Sequence, residues 1–239
     1  MSGHSKWSTI KREKGVKDAK RGAIFTRIGN QIAIAARSGI DPIMNSALAM
    51  AIETAKQSNM PAANIQRAID RVADKNAAVL EEATYEGMGP GGVGIIIETA
   101  TDNKNRTFPE VRTALTKNGG RVADSGSVMF QFSRKGVIRV ATTGEDALLA
   151  VLDAGAEDAV EEDGAITVYT DQKELAKVRQ AIKDAKLTVE EASLQYVPNH
   201  SVVIEDSETA LKVMKIMDAL DDLDDVVDVH TNADITADI

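Results

Sequence analysis

The most restrictive pattern in this chain lies between residues 135 and 197. There "GVIRVA" reads as a strand, "GEDALLAVLDAG" as a helix, and "AEDAVEED" as a second strand. Gly164 turns that strand into a third, "AITVYT". A helix follows over "QKELAKVRQAIKDAK", with Leu175, Val178 and Ile182 at inward spacing, and "LTVEEASLQYVP" closes the segment as a strand. The order βαββαβ is that of the split-βαβ, or ferredoxin-like, unit. Whatever surrounds this segment must accommodate a self-contained sheet.

The flanks have different textures. Ile24, Ile28, Ile32 and Ala36 recur every four residues, an apolar helical stripe that Gly39 ends. Asp41-Pro42 signals a turn. A second helix points Leu48, Ala51, Ile52 and Ala55 inward. A third begins near Pro61, where the missing N–H costs nothing, and places Ile65, Ala68, Ile69 and Val72 on one face. From residue 83 the pattern changes to two strands around a Gly/Pro turn, with Val93–Thr99 dense enough for a central strand. A helix over Arg106–Lys117 turns Val111 and Leu115 inward, and "SGSVMFQFS" alternates Val128, Phe130 and Phe132 as a further strand. After Pro198, "SVVIED" leads into a helix carrying Leu211, Met214 and Met217 and a last strand, "DVVDVHT". These final elements lack partners of their own and are assigned to the sheet begun at residue 83. The expectation is an α+β chain of three domains: a basic helical domain over 1–79, a discontinuous α+β domain over 80–134 and 199–239, and the ferredoxin-like βαββαβ insertion over 135–198.

Composition excludes several chemistries. The chain has no cysteine, which removes disulfides, thiolate metal sites and cysteine nucleophiles and fits a reducing compartment. No window approaches the roughly 18 consecutive apolar residues of a membrane span. The cationic N-terminal stretch has no apolar core behind it, so a secretory signal is not expected. The expected location is the cytoplasm, with no membrane partner.

The net charge of −9 conceals a segregation. Residues 1–37 hold nine Lys/Arg against two Asp/Glu, and residues 103–140 hold eight against two. Two zones of +7 and +6 leave −22 for the remainder of the chain. Such asymmetry points to a polyanion met in one orientation.

Gly87-Met88-Gly89-Pro90-Gly91-Gly92 matches G-x-G-x-x-G in letters, but a strand follows where a dinucleotide site needs a helix N-terminus. A hairpin turn is expected instead. "EDAVEED" and "DDLDDVVD" lack the glycine and terminal glutamate of a calcium loop and read as solvated acidic faces. His4, His200 and His230 are scattered, without metal-ligand spacing. No nucleophile elbow occurs. Neither metal, cofactor nor catalysis is expected.

The basic stretch is the leading candidate site. Lys6, Lys11, Arg12, Lys14, Lys17, Lys20, Arg21 and Arg27 can neutralise phosphates and release counterions. Trp7, the single tryptophan, can stack on a base or anchor the first helix. A second set, Lys104 and Arg106 within "TDNKNRT", stands at an expected helix N-terminus that can offer N–H groups to phosphate. Asn105 or Thr107 is the expected cap there.

Three blocks resemble the signatures of the YebC/PmpR family: "GHSKWSTIKREKGVKDAKRGAIFTRI" (3–28), "YEGMGPGGVGIIIETATDNKNRT" (85–107) and "KNGGRVADSGSVMFQFSRKGVI" (117–138). Met88, where the family usually has an aromatic, and "RIGNQI" (27–32) depart from its pattern. The resemblance implies a helical N-terminal domain followed by two α+β domains. It also implies a cytoplasmic regulator, described either as a DNA-binding transcriptional regulator or as a ribosome-associated factor that binds ribosomal RNA and relieves stalled translation. Mitochondrial relatives act as a translational activator of cytochrome c oxidase subunit I. Two other readings stand beside these: a small-molecule sensor built on the βαββαβ unit, and a protein-interaction module using the acidic faces.

Overall fold

The computed structural model describes residues 18–72, 74 and 78–237, with the side chains of 18–21 outside the description. The first segment is helical: α1 (Asp18–Ala36), α2 (Ser46–Gln57) and α3 (Ala62–Asp70). Ile28, Ile32 and Ala36 of the expected stripe are buried against Leu48, Ala55, Met60, Ile65 and Ile69. At about 1.5–3 kcal/mol for each large aliphatic side chain, this small core holds the three helices together. One member of the third stripe differs. Helix α3 ends at Asp70 with Arg71 as its C-cap, so Val72 falls beyond the last turn and is exposed.

The next segment forms a four-stranded sheet of β1 (Glu81–Met88), β2 (Gly94–Thr101), β3 (Arg121–Val122) and β9 (Val226–Thr231), in the order β3-β1-β2-β9. All three pairings are antiparallel. Helices α4 (Lys104–Lys117) and α7 (Ser207–Asp221) cover one face. Val111, Leu115, Val213, Ile216 and Met217 there enclose Ile95 and Ile97 of the central strand. Helix α1 packs on β2 and β9.

The G-x-G-x-x-G letters form the expected hairpin. A single 3₁₀ turn, Pro90–Gly92, joins β1 to β2 and is closed by Gly89 N–H to the Val93 carbonyl at 2.7 Å. Gly91 has φ +76°, a left-handed conformation that favours glycine, and a Cβ there would press on Ile204 Cδ1 at 2.8 Å.

Two sequence expectations are corrected in this region. Val128–Phe132 is not one alternating strand. Met129–Gln131 is a 3₁₀ turn, Phe130 is exposed, and extended structure begins only at Phe132. The cause is Glu86, a buried carboxylate that accepts the backbone N–H groups of Gly126, Val128 and Met129, the last two at 2.6 and 2.8 Å. Three amides converging on one carboxylate fold the backbone around it. The second correction concerns the C-terminal elements: β9 joins the first sheet, but β8 (Val202–Ile204) does not. It pairs in parallel with β10 (Ala233–Ile235) as a separate two-stranded sheet. Asn232, which accepts Gly94 N–H at 2.8 Å, terminates β9 and redirects the chain.

Residues 132–199 form a compact unit of their own. It contains β4 (Phe132–Val140), α5 (Glu145–Asp153), β5 (Asp158–Glu162), β6 (Ala165–Asp171), α6 (Leu175–Asp184) and β7 (Val189–Pro198). The sheet order β5-β6-β4-β7, antiparallel throughout, is that of a ferredoxin-like βαββαβ unit. Leu175, Val178 and Ile182 are buried as their spacing requires. A Cβ on Gly136 of β4 would lie 2.3 Å from Thr170 Oγ1 and 2.9 Å from Leu175 Cβ. The bare backbone therefore permits α6 to approach the sheet. The fold as a whole is α+β, with a helical N-terminal region followed by α+β domains.

Candidate nucleic-acid interface

The "TDNKNRT" block folds around one carboxylate. Asp225, buried in the connection between α7 and β9, accepts the hydroxyls of Thr101 at 3.0 Å and Thr107 at 2.6 Å. Arg106 Nη2 donates to both of its oxygens, at 2.8 and 2.9 Å. Burial alone would raise the Asp225 pKa, but the bonds from Thr107, Arg106 and Thr101 hold it below the usual carboxylate range. Asp225 thereby pins the end of β2 and the start of α4 to the turn before β9. The cap of α4 is Asn103, whose side chain accepts Arg106 N–H at 3.2 Å; Asn105 and Thr107 do not fill that role. Thr101 Oγ1 in turn accepts the Asn103 N–H at 2.9 Å.

Both cations proposed from this block have carboxylate partners. Lys104 pairs with Glu81 at 2.7 Å, and the Glu81 bond and charge raise its pKa while lowering that of Glu81. Arg106 also reaches Asp102 at 3.3 Å. Each remains about half exposed, 51% for the Lys104 side chain and 47% for Arg106, so a phosphate would have to share rather than simply receive them.

The basic stretch divides across the limit of the described residues. Lys6, Trp7, Lys11, Arg12, Lys14 and Lys17 lie outside them, and Lys20 and Arg21 stand on α1 with side chains outside the description. Arg27 is described. Its Nη1 lies 3.3 Å from Asp221 Oδ1, its Nη2 donates to the Asp221 carbonyl, and both side chains are 14% exposed. That guanidinium fastens α1 to the end of α7.

Sequence reasoning passed over other cations. Arg112, Lys117 and Arg121 are exposed, and among the described residues their side chains make no hydrogen bond or ion pair. They belong to the second basic zone, and spacing alone does not reveal which of its cations have partners. The rest of that zone is internally matched: Lys135 with Glu157, Arg139 with Glu190 at 2.9 Å, and Arg134 against the Tyr196 ring at 5.0 Å.

Other candidate groups have structural roles. His230 is buried with its Nε2 3.0 Å from Glu98 Oε2. Among the described residues no group of three His, Asp or Glu side chains is arranged to hold a metal ion, and no helix is long and apolar enough to cross a membrane. In the βαββαβ unit, burial and the nearby Glu162 and Asp158 push the Tyr169 hydroxyl up to about 12. Those carboxylates disfavour phosphate beside Tyr169.

Comparison with known proteins gives these features a family context. The model of the TACO1/YebC protein N-terminal domain matches residues 5–75, and that of the TACO1/YebC second and third domain matches residues 80–233. A protein of Chloroflexus aurantiacus named "Probable transcriptional regulatory protein" is 45% identical, with all of this chain and 98% of that protein covered. A Moorella thermoacetica protein of the same name is 46% identical over the same shares. The crystal structure of a conserved hypothetical protein from Aquifex aeolicus superposes with a TM-score of 0.87 at 40% identity, covering 93% of each chain. With family models spanning most of its length and full-length relatives at this identity, the chain belongs to the TACO1/YebC family.

Proposed function

We propose that this chain is a non-enzymatic, cytoplasmic regulator of gene expression that binds nucleic acid through its basic N-terminal segment. The observation that carries this reading is the segregation of charge. Residues 1–72 hold twelve Lys/Arg against five Asp/Glu, a net of +7, in a chain whose total is −9. A polyanion is attracted to one end and repelled by the rest. Lys6, Lys11, Arg12, Lys14, Lys17, Lys20 and Arg21 supply the phosphate contacts, Trp7 a stacking face, and Lys104 and Arg106 a weaker second site. Arg27, engaged with Asp221, acts by holding α1 in place.

The names of the relatives favour transcription and hence DNA; the resemblance to a translational activator favours ribosomal RNA. Both are served by the same phosphate chemistry. Changing Lys11, Lys14, Lys17 and Arg21 together to Ala is expected to weaken binding to DNA and RNA probes and to reduce the dependence of affinity on salt. An unchanged affinity and salt slope in that variant would rule the reading out. Sequencing nucleic acid cross-linked to the protein in cells separates the targets: bulk ribosomal RNA identifies translation, promoter fragments transcription.

A further inference from the structure

The connection between α1 and α2 presents three large apolar side chains to water within five residues. Ile40 is 62% exposed, Ile43 88% and Met44 85%. Beneath them the backbone is firmly held. Buried Asn45 donates through Nδ2 to the carbonyls of Ala35 and Gly39, each at 2.7 Å, and accepts Leu48 N–H at 3.1 Å. Asp41 accepts the Ile43 N–H on its side chain at 2.9 Å and the N–H groups of Met44 and Asn45 on its carbonyl at 3.1 and 3.0 Å. The loop is a braced protrusion whose polar groups are turned to its own backbone and whose apolar tip faces outward.

We propose that this tip is a wedge that enters a base step of nucleic acid, an inference that rests on the nucleic-acid reading above. Ile, Met and Pro, the residues at the tip, are among those that proteins insert between stacked bases, where the loss of stacking is offset by burial of the apolar wedge. The occupant follows from charge and shape. The tip belongs to the part of the chain with net charge +7, while the remainder carries −16, so a polyanion is drawn to this end. Three convex side chains are far short of the roughly 800 Å² per partner that a stable protein interface needs, but they suit a narrow slot.

The test uses the full chain and its variant I43S/M44S, with a DNA duplex and an RNA hairpin each carrying 2-aminopurine at successive steps. Binding of the unaltered protein is expected to raise 2-aminopurine fluorescence at one step. In the variant that rise is lost and affinity falls about ten-fold, while the salt slope stays the same because no phosphate contact is removed. The variant I43L/M44L, which keeps the apolar volume, is expected to retain both signals. A rise on only one probe identifies DNA or RNA as the source. Equal affinity and fluorescence for I43S/M44S overturn the wedge while leaving the nucleic-acid reading intact. Absence of salt-dependent binding by the unaltered protein overturns both. Loss of self-association or of a protein complex in I43S/M44S, with nucleic-acid binding unchanged, also overturns the wedge and makes the tip a protein contact. Because both side chains point into water, the melting temperature of the variant should match that of the parent.

Discussion

The two cationic zones of this chain look alike in sequence, and in both the structure shows cations engaged with groups far away along the chain. In the second, Lys104, Arg106, Lys135 and Arg139 each sit on a carboxylate and Arg134 lies over a tyrosine ring, whereas Arg112, Lys117 and Arg121 are exposed and make no hydrogen bond or ion pair among the described residues. In the first, the two cations whose side chains are described are both engaged: Arg27 is enclosed with Asp221, and Arg37 donates to the Leu80 carbonyl at 2.9 Å. A count of Lys and Arg therefore measures attraction at long range but says little about which side chains are available to a phosphate. Availability depends on carboxylates far away in sequence, such as Asp225, which lies 119 residues from Arg106.

The comparison can be tested most severely at Asp225. If the second zone is chiefly structural, Asp225→Ala should destabilise the protein by about 3 kcal/mol in urea unfolding, because two buried threonine hydroxyls lose their acceptor. Nucleic-acid affinity measured well below the unfolding transition should change little. A large affinity loss in a variant of parental stability would instead make this zone part of the interface.

Next in size is Gly136→Ala in the βαββαβ unit. The added methyl would meet Thr170 and Leu175, and about 1–3 kcal/mol of stability should be lost. Nucleic-acid binding should be unaffected if the basic stretch alone supplies affinity, which a salt titration of the variant checks.

A smaller effect concerns acid. Glu86 and Asp225 are both held below their ordinary pKa in the folded protein: burial would raise each, but hydrogen bonds from backbone amides at Glu86 and from side chains at Asp225 prevail. A carboxylate with a depressed folded pKa contributes stability above its unfolded value, and that contribution is lost as pH falls through the folded value. Stability should therefore be level at neutral pH and decline below about pH 4. Glu86→Gln should lower the neutral plateau and make the acid decline shallower; an unaltered slope would show that Glu86 does not titrate with unfolding. Smallest of all is Lys104→Ala. The exposed Lys104–Glu81 pair should give no measurable change in melting temperature, whereas weaker binding to DNA or RNA would bring Lys104 into the interface.

Much of the fold was legible because local patterns and tertiary packing agree. The four-residue stripe of α1 is buried at Ile28, Ile32 and Ala36, and the βαββαβ order appears as four antiparallel strands under two helices. Misreadings occurred where a distant group overrides the local pattern. Val128–Phe132 alternates like a strand, but Glu86, some forty residues earlier, captures its amides. "SVVIED" looked like a strand of the first sheet, yet its partner is created by the break at Asn232. The cap of α4 is not legible locally: Asn103, Asn105 and Thr107 are all competent caps, and only the backbone path selects Asn103 among them. The exposed tip at Ile40–Met44 passed as an ordinary turn: Asp-Pro was the visible signal, and nothing nearby in sequence shows that the neighbouring apolar residues have no core to enter.

The sequence by itself determined most of the helices and strands, the βαββαβ order, the absence of cysteine and the segregation of charge along the chain. These are properties of period and composition, carried by near neighbours. The tertiary structure alone decided which cations keep their charge available, which carboxylates are hinges of the fold, and where apolar side chains face water. Each of those depends on groups many residues apart meeting at a few ångströms, where hydrogen bonding and desolvation outweigh any local preference.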